Sequence, residues 1–421
     1  MAHYIISPGT DIHGTVAISG SKNAALPILA AGLLSEGESV FSGIPELSDT
    51  ARMGELLLCM GGVFIRNADG TVSVSLPAAG RRKTAPLELV SKLRASFLVM
   101  APMLARCGRV RMPLPGGCQI GARPIDLHLK GFSAMGAKIR QGHGYVEAFC
   151  ERLQGTNIYL DFPSVGATEN LMLAACLAEG ETVIENAAAE PEIADLAGCL
   201  TAMGAEIQGA GSDTIHIIGK DALHPCRYRI IPDRIETGTF LALAAAGHGD
   251  LTLTNVCPAH IKPVLAKLEE MGFSMETGAD MLHISPCERF KSVDIKTLPH
   301  PGFPTDMQSQ FMALMSVAEG TGIVVETVFE NRFMQVPELL RMGAKIKIDG
   351  RTAVVDGSKR LSGARVRATD LRAGAALVIA ALAAQGETVI DDIEHMERGY
   401  EHFVEKLQGI GVKIQKNADS N

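Results

Sequence analysis

The sequence contains no Trp, only 5 % aromatic residues and no surplus of positive charge: 39 Lys and Arg face 47 Asp and Glu, a formal net charge of -8. That balance argues against non-specific binding to nucleic acid or to an anionic membrane surface, because both reward excess Lys and Arg. Any anionic ligand must instead meet a local basic pocket. The nine Cys are odd in number and form no C-x-x-C pair, which fits neither a disulfide framework nor a zinc site and suits a reducing cytoplasm. The start Met1-Ala2-His3-Tyr4 has no basic segment ahead of a long apolar stretch, and the longest apolar run, Ala375 to Ala384, is far too short to span lipid. A soluble cytoplasmic protein is expected. Walker, G-x-G-x-x-G, H-E-x-x-H and G-x-S-x-G motifs are also missing, so nucleotide hydrolysis, dinucleotide redox chemistry, zinc proteolysis and esterase chemistry have no local support. The twelve His show no metal spacing.

Core material is plentiful. Hydrophobic residues make up 47 % of 421 positions, with 44 Gly and 18 Met, and a chain of this length is expected to divide into two domains. A repeat organises it. Gly37, Gly108, Gly180, Gly249, Gly320 and Gly386 each close an apolar run, at spacings of 66 to 72 residues. Gly61, Gly136, Gly204, Gly272, Gly343 and Gly411 follow an apolar residue at spacings of 68 to 75. Two independent markers thus keep one period of about 70 residues. Each unit reads helix, Gly, strand, helix, Gly, strand, and each Gly stands where a helix end favours a left-handed residue. The second helix of a unit carries an apolar stripe, as in Ile193, Leu196, Leu200 and Met203, or Val336, Leu339, Leu340 and Met342. Six such units predict an α/β protein of two similar domains with three repeats each. Taken alone, the repeat also suits a scaffold for protein partners.

Polar groups at the helix entrances argue for more than a scaffold. About fourteen residues before each closing Gly stand Ser21-Lys22-Asn23, Arg94-Ala95-Ser96, Thr168-Glu169-Asn170, Arg234-Ile235-Glu236, Thr305-Asp306-Met307 and Thr369-Asp370-Leu371-Arg372. A cation in the first turn opposes the helix dipole, so Lys22, Arg94 and Arg372 call for a negative partner, which a bound anion would supply. Free N–H groups beside Lys or Arg are a common way to hold phosphate or carboxylate.

The stretch from Pro113 to His128 holds three Pro, three Gly, Cys118 and Arg123, and reads as a loop that carries a reactive group. A neighbouring guanidinium favours the thiolate and nucleophilic attack, whereas a general acid needs the thiol. Proton donation, covalent attack and control of product release all remain open for Cys118 on these residues. His128 and His395 lie beside these segments and read as structural hydrogen-bonding residues.

Together, Gly20-Ser21-Lys22-Asn23-Ala24-Ala25, the Cys118 loop, Asp161-Phe162-Pro163-Ser164-Val165-Gly166, Phe303-Pro304-Thr305-Asp306-Met307-Gln308, Thr327-Val328-Phe329-Glu330-Asn331-Arg332 and Glu397-Arg398-Gly399-Tyr400 closely resemble the UDP-N-acetylglucosamine 1-carboxyvinyltransferase family of enolpyruvyl transferases. The resemblance runs almost end to end. It implies an inside-out α/β barrel in each domain, one formed by residues 1–21 with 230–421 and the other by 22–229, closing on a sugar nucleotide. The implied reaction moves the enolpyruvyl group of phosphoenolpyruvate onto the 3′-hydroxyl of UDP-N-acetylglucosamine with release of phosphate, in peptidoglycan precursor synthesis. No metal, redox cofactor, nucleic acid, membrane or obligate protein partner is implied.

By the same resemblance Cys118 is a proton donor that can form a covalent adduct with phosphoenolpyruvate, and Asp306 is the base for the sugar hydroxyl. Lys22, Arg123 and Arg398 would hold phosphate and carboxylate, with Asn23, Arg332, Asp370 and Arg372 shaping that pocket. Arg94, Arg123, Pro124, Ile125, Asp126, Leu127, Ser164, Val165, Gly166, Asp306 and Val328 would hold the sugar nucleotide. Some members carry Lys where this chain has Phe162, so any contact there is made differently. The nearest alternative is transfer to shikimate 3-phosphate, against which the Cys118 loop speaks. The RNA 3′-phosphate cyclases have a related fold, but a polyanionic substrate sits awkwardly with a charge of -8.

Overall fold

A computed structural model describes residues 2–9, 11–78, 82–114, 125–358 and 360–418. The chain forms two compact units, one from residues up to Ser19 with those from Pro232 onward, the other from Gly20 to Ile231. Each has its own apolar core.

The 70-residue period becomes one small sheet per repeat. In the 20–231 unit the sheets run, in strand order, Arg227–Arg229, Ser39–Ser42, Val72–Ser75, Val63–Arg66; then Arg109–Pro113, Tyr145–Phe149, Lys138–Gly142; then Glu206–Gln208, Thr214–Ile218, Glu181–Glu185, Asn157–Tyr159. The other unit has Arg365–Arg367, Thr388–Asp391, Ala2–Ile6, Ile414–Ala418; Met275–Thr277, Met281–Ile284, Asp250–Thr254, His13–Ala17; and Ile295–Lys296, Thr321–Val325, Thr352–Asp356, Lys345–Asp349, with a further two-stranded pair of Leu361–Ser362 and Ala384–Gln385. The first residues of the chain belong with the second half because His13–Ala17 pairs in parallel with Asp250–Thr254, while Ala2–Ile6 lies inside another sheet. In the same way Arg227–Arg229 returns to pair with Ser39–Ser42 and completes the first sheet of its unit.

The first helix of each repeat is wrapped in apolar residues and forms the core. These helices are Lys22–Ala31, Met100–Cys107 and Val165–Ala175 in one unit, and Arg234–Ala246, Gln308–Met315 and Leu371–Leu382 in the other. From Ile235 to Ala246 every side chain is buried, and so is every one from Arg372 to Ala381. A helix with no polar stripe can be covered only from all sides, and each trio packs helix against helix. The apolar run Ala375 to Ala384 is therefore core, and among the described residues no helix is long and apolar enough to cross a membrane.

Helix ends follow the expected chemistry with two exceptions. All six Gly of the second marker adopt positive φ, as do Gly108, Gly180, Gly320 and Gly386 of the first. Gly37 and Gly249 do not; a Cβ there would come within 2.7 Å of Pro225 and Ile12 respectively, so close approach of a neighbouring residue is what demands Gly at both positions. The stripe on Val336–Arg341 is also narrower than expected. Leu339 is buried but Leu340 is exposed, because successive residues on a helix turn by about 100° and only one of the pair can face inward.

Candidate active site

The 232–418 unit gathers its charged groups at the entrances of its core helices. The short turn Thr305–Met307 leads into Gln308–Met315 and presents Asp306. One Asp306 oxygen accepts a hydrogen bond from Arg332 at 2.6 Å, the other from Arg372 at 3.1 Å. Both guanidiniums are almost wholly buried, whereas Asp306 is 28 % exposed, so the carboxylate is the part of this cluster that faces outward. Arg372 also donates to the buried Tyr400 hydroxyl at 3.1 Å, which pairs with Thr239 Oγ1 at 3.0 Å, and Gln310 donates to the same threonine at 3.2 Å. Burial works against the Arg372 charge, but Asp306, Tyr400 and Asp233 outweigh it and hold the guanidinium more firmly protonated than usual. Burial pushes the Tyr400 hydroxyl up, so it stays neutral.

Asp370 caps Leu371–Leu382, accepting from the N–H groups of Arg372 at 2.8 Å and Ala373 at 3.1 Å. It serves the helix end and orients the residue that reaches Asp306. Arg398 ends the short helix Ile393–Arg398 and is half-buried. Val328 lies in the loop after Thr321–Val325, with its N–H held at 2.8 Å by Glu326.

In the 20–231 unit Ser21 caps Lys22–Ala31 through its hydroxyl, 3.3 Å from Ala24 N. Lys22 lies 3.4 Å from Asp49 and Arg52 lies 3.5 Å from the other oxygen of the same, nearly buried carboxylate. Asp49 faces Lys22 and Asp306 faces Arg372, so the chain itself supplies negative charge beside two of these first-turn cations. Asn23 follows on the same helix, half-buried. Arg94 opens the short helix Arg94–Val99.

Ser164 caps Val165–Ala175, 3.4 Å from Ala167 N, which puts Val165 and Gly166 in the first turn. A Cβ on Gly166 would lie 3.5 Å from the His128 ring. His128 follows Ile125, Asp126 and Leu127 on the helix Asp126–Ala134 and accepts Asn170 at 2.9 Å through Nδ1. Asn170 is shared further, donating to Phe97 O at 3.0 Å and accepting Ala101 N at 3.2 Å. Burial first, then the Arg94 charge, press the His128 pKa down to about 3, so the ring is a neutral support beneath the Gly166 turn. Glu169, one turn further on, is fully buried; burial, then Glu192 and Glu190, raise its pKa well above the usual carboxylate range.

The structure thus joins Asp306, Arg332 and Arg372, places Asp370 beside them, and sets Ser164, Val165 and Gly166 over the helix that starts at Asp126. Cys118, Arg123 and Pro124 lie outside the described residues. Asp49 and Glu326 carry no signal in the sequence, and Asn170 and Tyr400, which stand at a helix entrance and in a family-like run, carry none for the contacts they make. Asp49 reaches Lys22 across 27 residues, Asn170 reaches His128 across 42, Tyr400 reaches Arg372 across 28 and Glu326 reaches Thr305 across 21. Among the described residues no group of three or more His, Cys, Asp or Glu is placed to hold a metal ion.

The family described as EPSP synthase (3-phosphoshikimate 1-carboxyvinyltransferase) matches residues 6–407. UDP-N-acetylglucosamine 1-carboxyvinyltransferase 2 of Carboxydothermus hydrogenoformans is 54 % identical over 421 residues, covering 100 % of both chains. UDP-N-acetylglucosamine 1-carboxyvinyltransferase 1 of Caldanaerobacter subterraneus is 53 % identical, over 98 % of this chain and 99 % of the relative. Among solved structures, the enolpyruvyl transferase NikO of Streptomyces tendae superposes with a TM-score of 0.89 at 27 % identity, covering 100 % and 99 % of the two chains. EPSP synthase of Acinetobacter baumannii gives 0.76 at 19 % identity over 99 % and 100 %, a likeness of fold.

Proposed function

The chain belongs to the EPSP synthase family of enolpyruvyl transferases, on the side of the UDP-N-acetylglucosamine 1-carboxyvinyltransferases, and from that premise we infer that it transfers the enolpyruvyl group of phosphoenolpyruvate to the 3′-hydroxyl of UDP-N-acetylglucosamine. Phosphate is released, and the product enters peptidoglycan synthesis in the cytoplasm. The observation that carries the acceptor assignment is 54 % identity along the whole chain to a transferase named for that acceptor.

The chemistry asks for clustered cations around a small dianion, a base for the hydroxyl and an acid for the methylene carbon. Lys22, Arg123 and Arg398 hold the phosphate and carboxylate, with Asn23, Arg332, Asp370 and Arg372 completing the site. Arg94, Arg123 to Leu127, Ser164 to Gly166 and Val328 hold the sugar nucleotide. Asp306 removes the hydroxyl proton as the oxygen bonds to the central carbon of phosphoenolpyruvate, and Cys118 delivers a proton to the methylene. The resulting methyl then loses a proton as the bond to phosphate breaks, which regenerates the vinyl group. Two guanidiniums occupy both Asp306 oxygens in the resting site. An arriving dianion competes for Arg332 and Arg372, and so frees a carboxylate oxygen when substrate is present.

Phosphate release measured with each acceptor in turn tests this reading. Release with UDP-N-acetylglucosamine and none with shikimate 3-phosphate is expected; the reverse pattern overturns the acceptor.

A further inference from the structure

We propose that Glu326 is a positioning residue that locks the turn carrying Asp306 to the loop carrying Val328. The inference rests on the function proposed above, in which Asp306 works on the sugar hydroxyl and Val328 contacts the sugar nucleotide.

Glu326 follows the strand Thr321–Val325 and is 1 % exposed. Its main chain is tied on both sides to Arg351: Glu326 N donates to Arg351 O at 2.9 Å, and Arg351 Nε donates to Glu326 O at 2.9 Å. From this fixed base the carboxylate spans two segments. One oxygen accepts from the N–H groups of Val328 at 2.8 Å and Phe329 at 3.1 Å, and from Thr297 Oγ1 at 2.9 Å. The other accepts from Thr305 Oγ1 at 2.9 Å. Thr305 is the residue before Asp306 in the turn Thr305–Met307. Thr297 adds a further tie, since its hydroxyl oxygen accepts Thr327 N at 2.9 Å.

All four donors are hydroxyls or main-chain amides. Burying a carboxylate is costly, and these charge-assisted hydrogen bonds offset the cost only while the whole set is made. The group therefore tolerates one arrangement of the two segments and resists others, which is what holding a base and a sugar contact in fixed relation requires. A Gln would still accept the three donors on the loop side, but its amide nitrogen would face Thr305 and could not accept the hydroxyl. Thr305→Val cuts the tie to Asp306 alone, and Thr305→Ser keeps it.

Steady-state kinetics on the full chain, with phosphoenolpyruvate and UDP-N-acetylglucosamine varied separately, test the role. Thr305→Val lowers kcat by about tenfold or more, as expected for a misplaced base, and Thr305→Ser restores it. Glu326→Gln keeps the three loop-side bonds and so lowers kcat in the same direction as Thr305→Val, with both KM values within about twofold of the parent. A fall in melting temperature with kcat and both KM values unmoved would make Glu326 a structural group only. Failure of Ser to restore what Val removes also overturns the proposal. Should Glu326→Gln not fold, the Thr305 pair still decides. Absence of turnover in the parent enzyme overturns the functional reading and this inference with it, whereas normal parent turnover with unshifted variants overturns this inference alone.

Discussion

Asp306 between Arg332 and Arg372 is arranged as an ion triad at rest, with two hydrogen bonds of 2.6 and 3.1 Å. Replacing it by Asn keeps the shape, removes the charge and leaves two buried guanidiniums without their counter-ion. Asp306→Asn is expected to lower kcat by roughly 10²–10⁴, the usual contribution of a general base, in a phosphate-release assay. A fall of less than tenfold would assign the proton to another group. Cys118 has a direct chemical test. Fosfomycin, an epoxide that mimics phosphoenolpyruvate, is expected to add once to the intact protein, with the adduct mapping to Cys118. Cys118→Asp should escape the adduct yet retain turnover, since Asp can still donate a proton. Asp306 and Arg372 were legible at helix entrances, whereas Arg332 and the role of Cys118 came only with the resemblance; an Asp at an entrance also has the local role of a cap, as Asp370 has. Asp49, Glu326 and the hydroxyl of Tyr400 were not legible as partners. Their contacts join positions far apart in the chain, and no spacing rule links Asp49 to Lys22, Tyr400 to Thr239 or Glu326 to Thr297.

At the scale of elements, caps and supports turn the repeat into positioned chemistry. Asp233 caps Arg234–Ala246 by accepting Ile235 N at 2.8 Å and Glu236 N at 2.9 Å, so Asp233→Ala should cost about 1 kcal/mol, measured by urea unfolding. The helix Asp126–Ala134 supports the turn at Gly166 through His128, and this support is sensitive to acid. The folded state keeps the ring neutral down to about pH 3, while the unfolded chain takes up a proton near the ordinary value of 6.5. The unfolded state therefore binds more protons at this site in that window, and the His128 contribution to stability falls as pH drops from about 6.5 towards 3. The buried Glu169, Asp195 and Glu236, whose pKa values are raised, work the other way. The His128 share is therefore read as the difference in unfolding free energy between the parent and His128→Gln, with the parent expected to lose more stability, or gain less, from pH 7 to pH 5. An equal change in the two proteins would place His128 in a wetter setting. The period of about 70 residues, the helix entrances and the buried first helices were all readable from apolar patterning. Gly37, Gly249 and Leu340 departed from the reading because close approach and helical rotation, which depend on neighbours in space, decide those positions.

The molecule as a whole consists of two units with separate cores, but only one of them is continuous in sequence. Residues 20–231 carry three complete sheets, closed by the return of Arg227–Arg229 onto Ser39–Ser42. That fragment is expected to fold alone with a cooperative thermal transition by circular dichroism. Residues 232–421 lack Ala2–Ile6, an interior strand of one sheet, and His13–Ala17 of another, so that fragment should not show one. The three-plus-three division was visible in the Gly spacings. The swap of the first strands into the far half was not, since strand pairing between residue 13 and residue 250 leaves no mark on local composition; it came only with the resemblance. The most direct test of the account is to identify the product formed from phosphoenolpyruvate and UDP-N-acetylglucosamine by nuclear magnetic resonance while counting the phosphate released. An enolpyruvyl ether on the 3′-oxygen of the sugar, equal in amount to the phosphate, is the predicted result. Phosphate without that ether, or the group on a different oxygen, would contradict it.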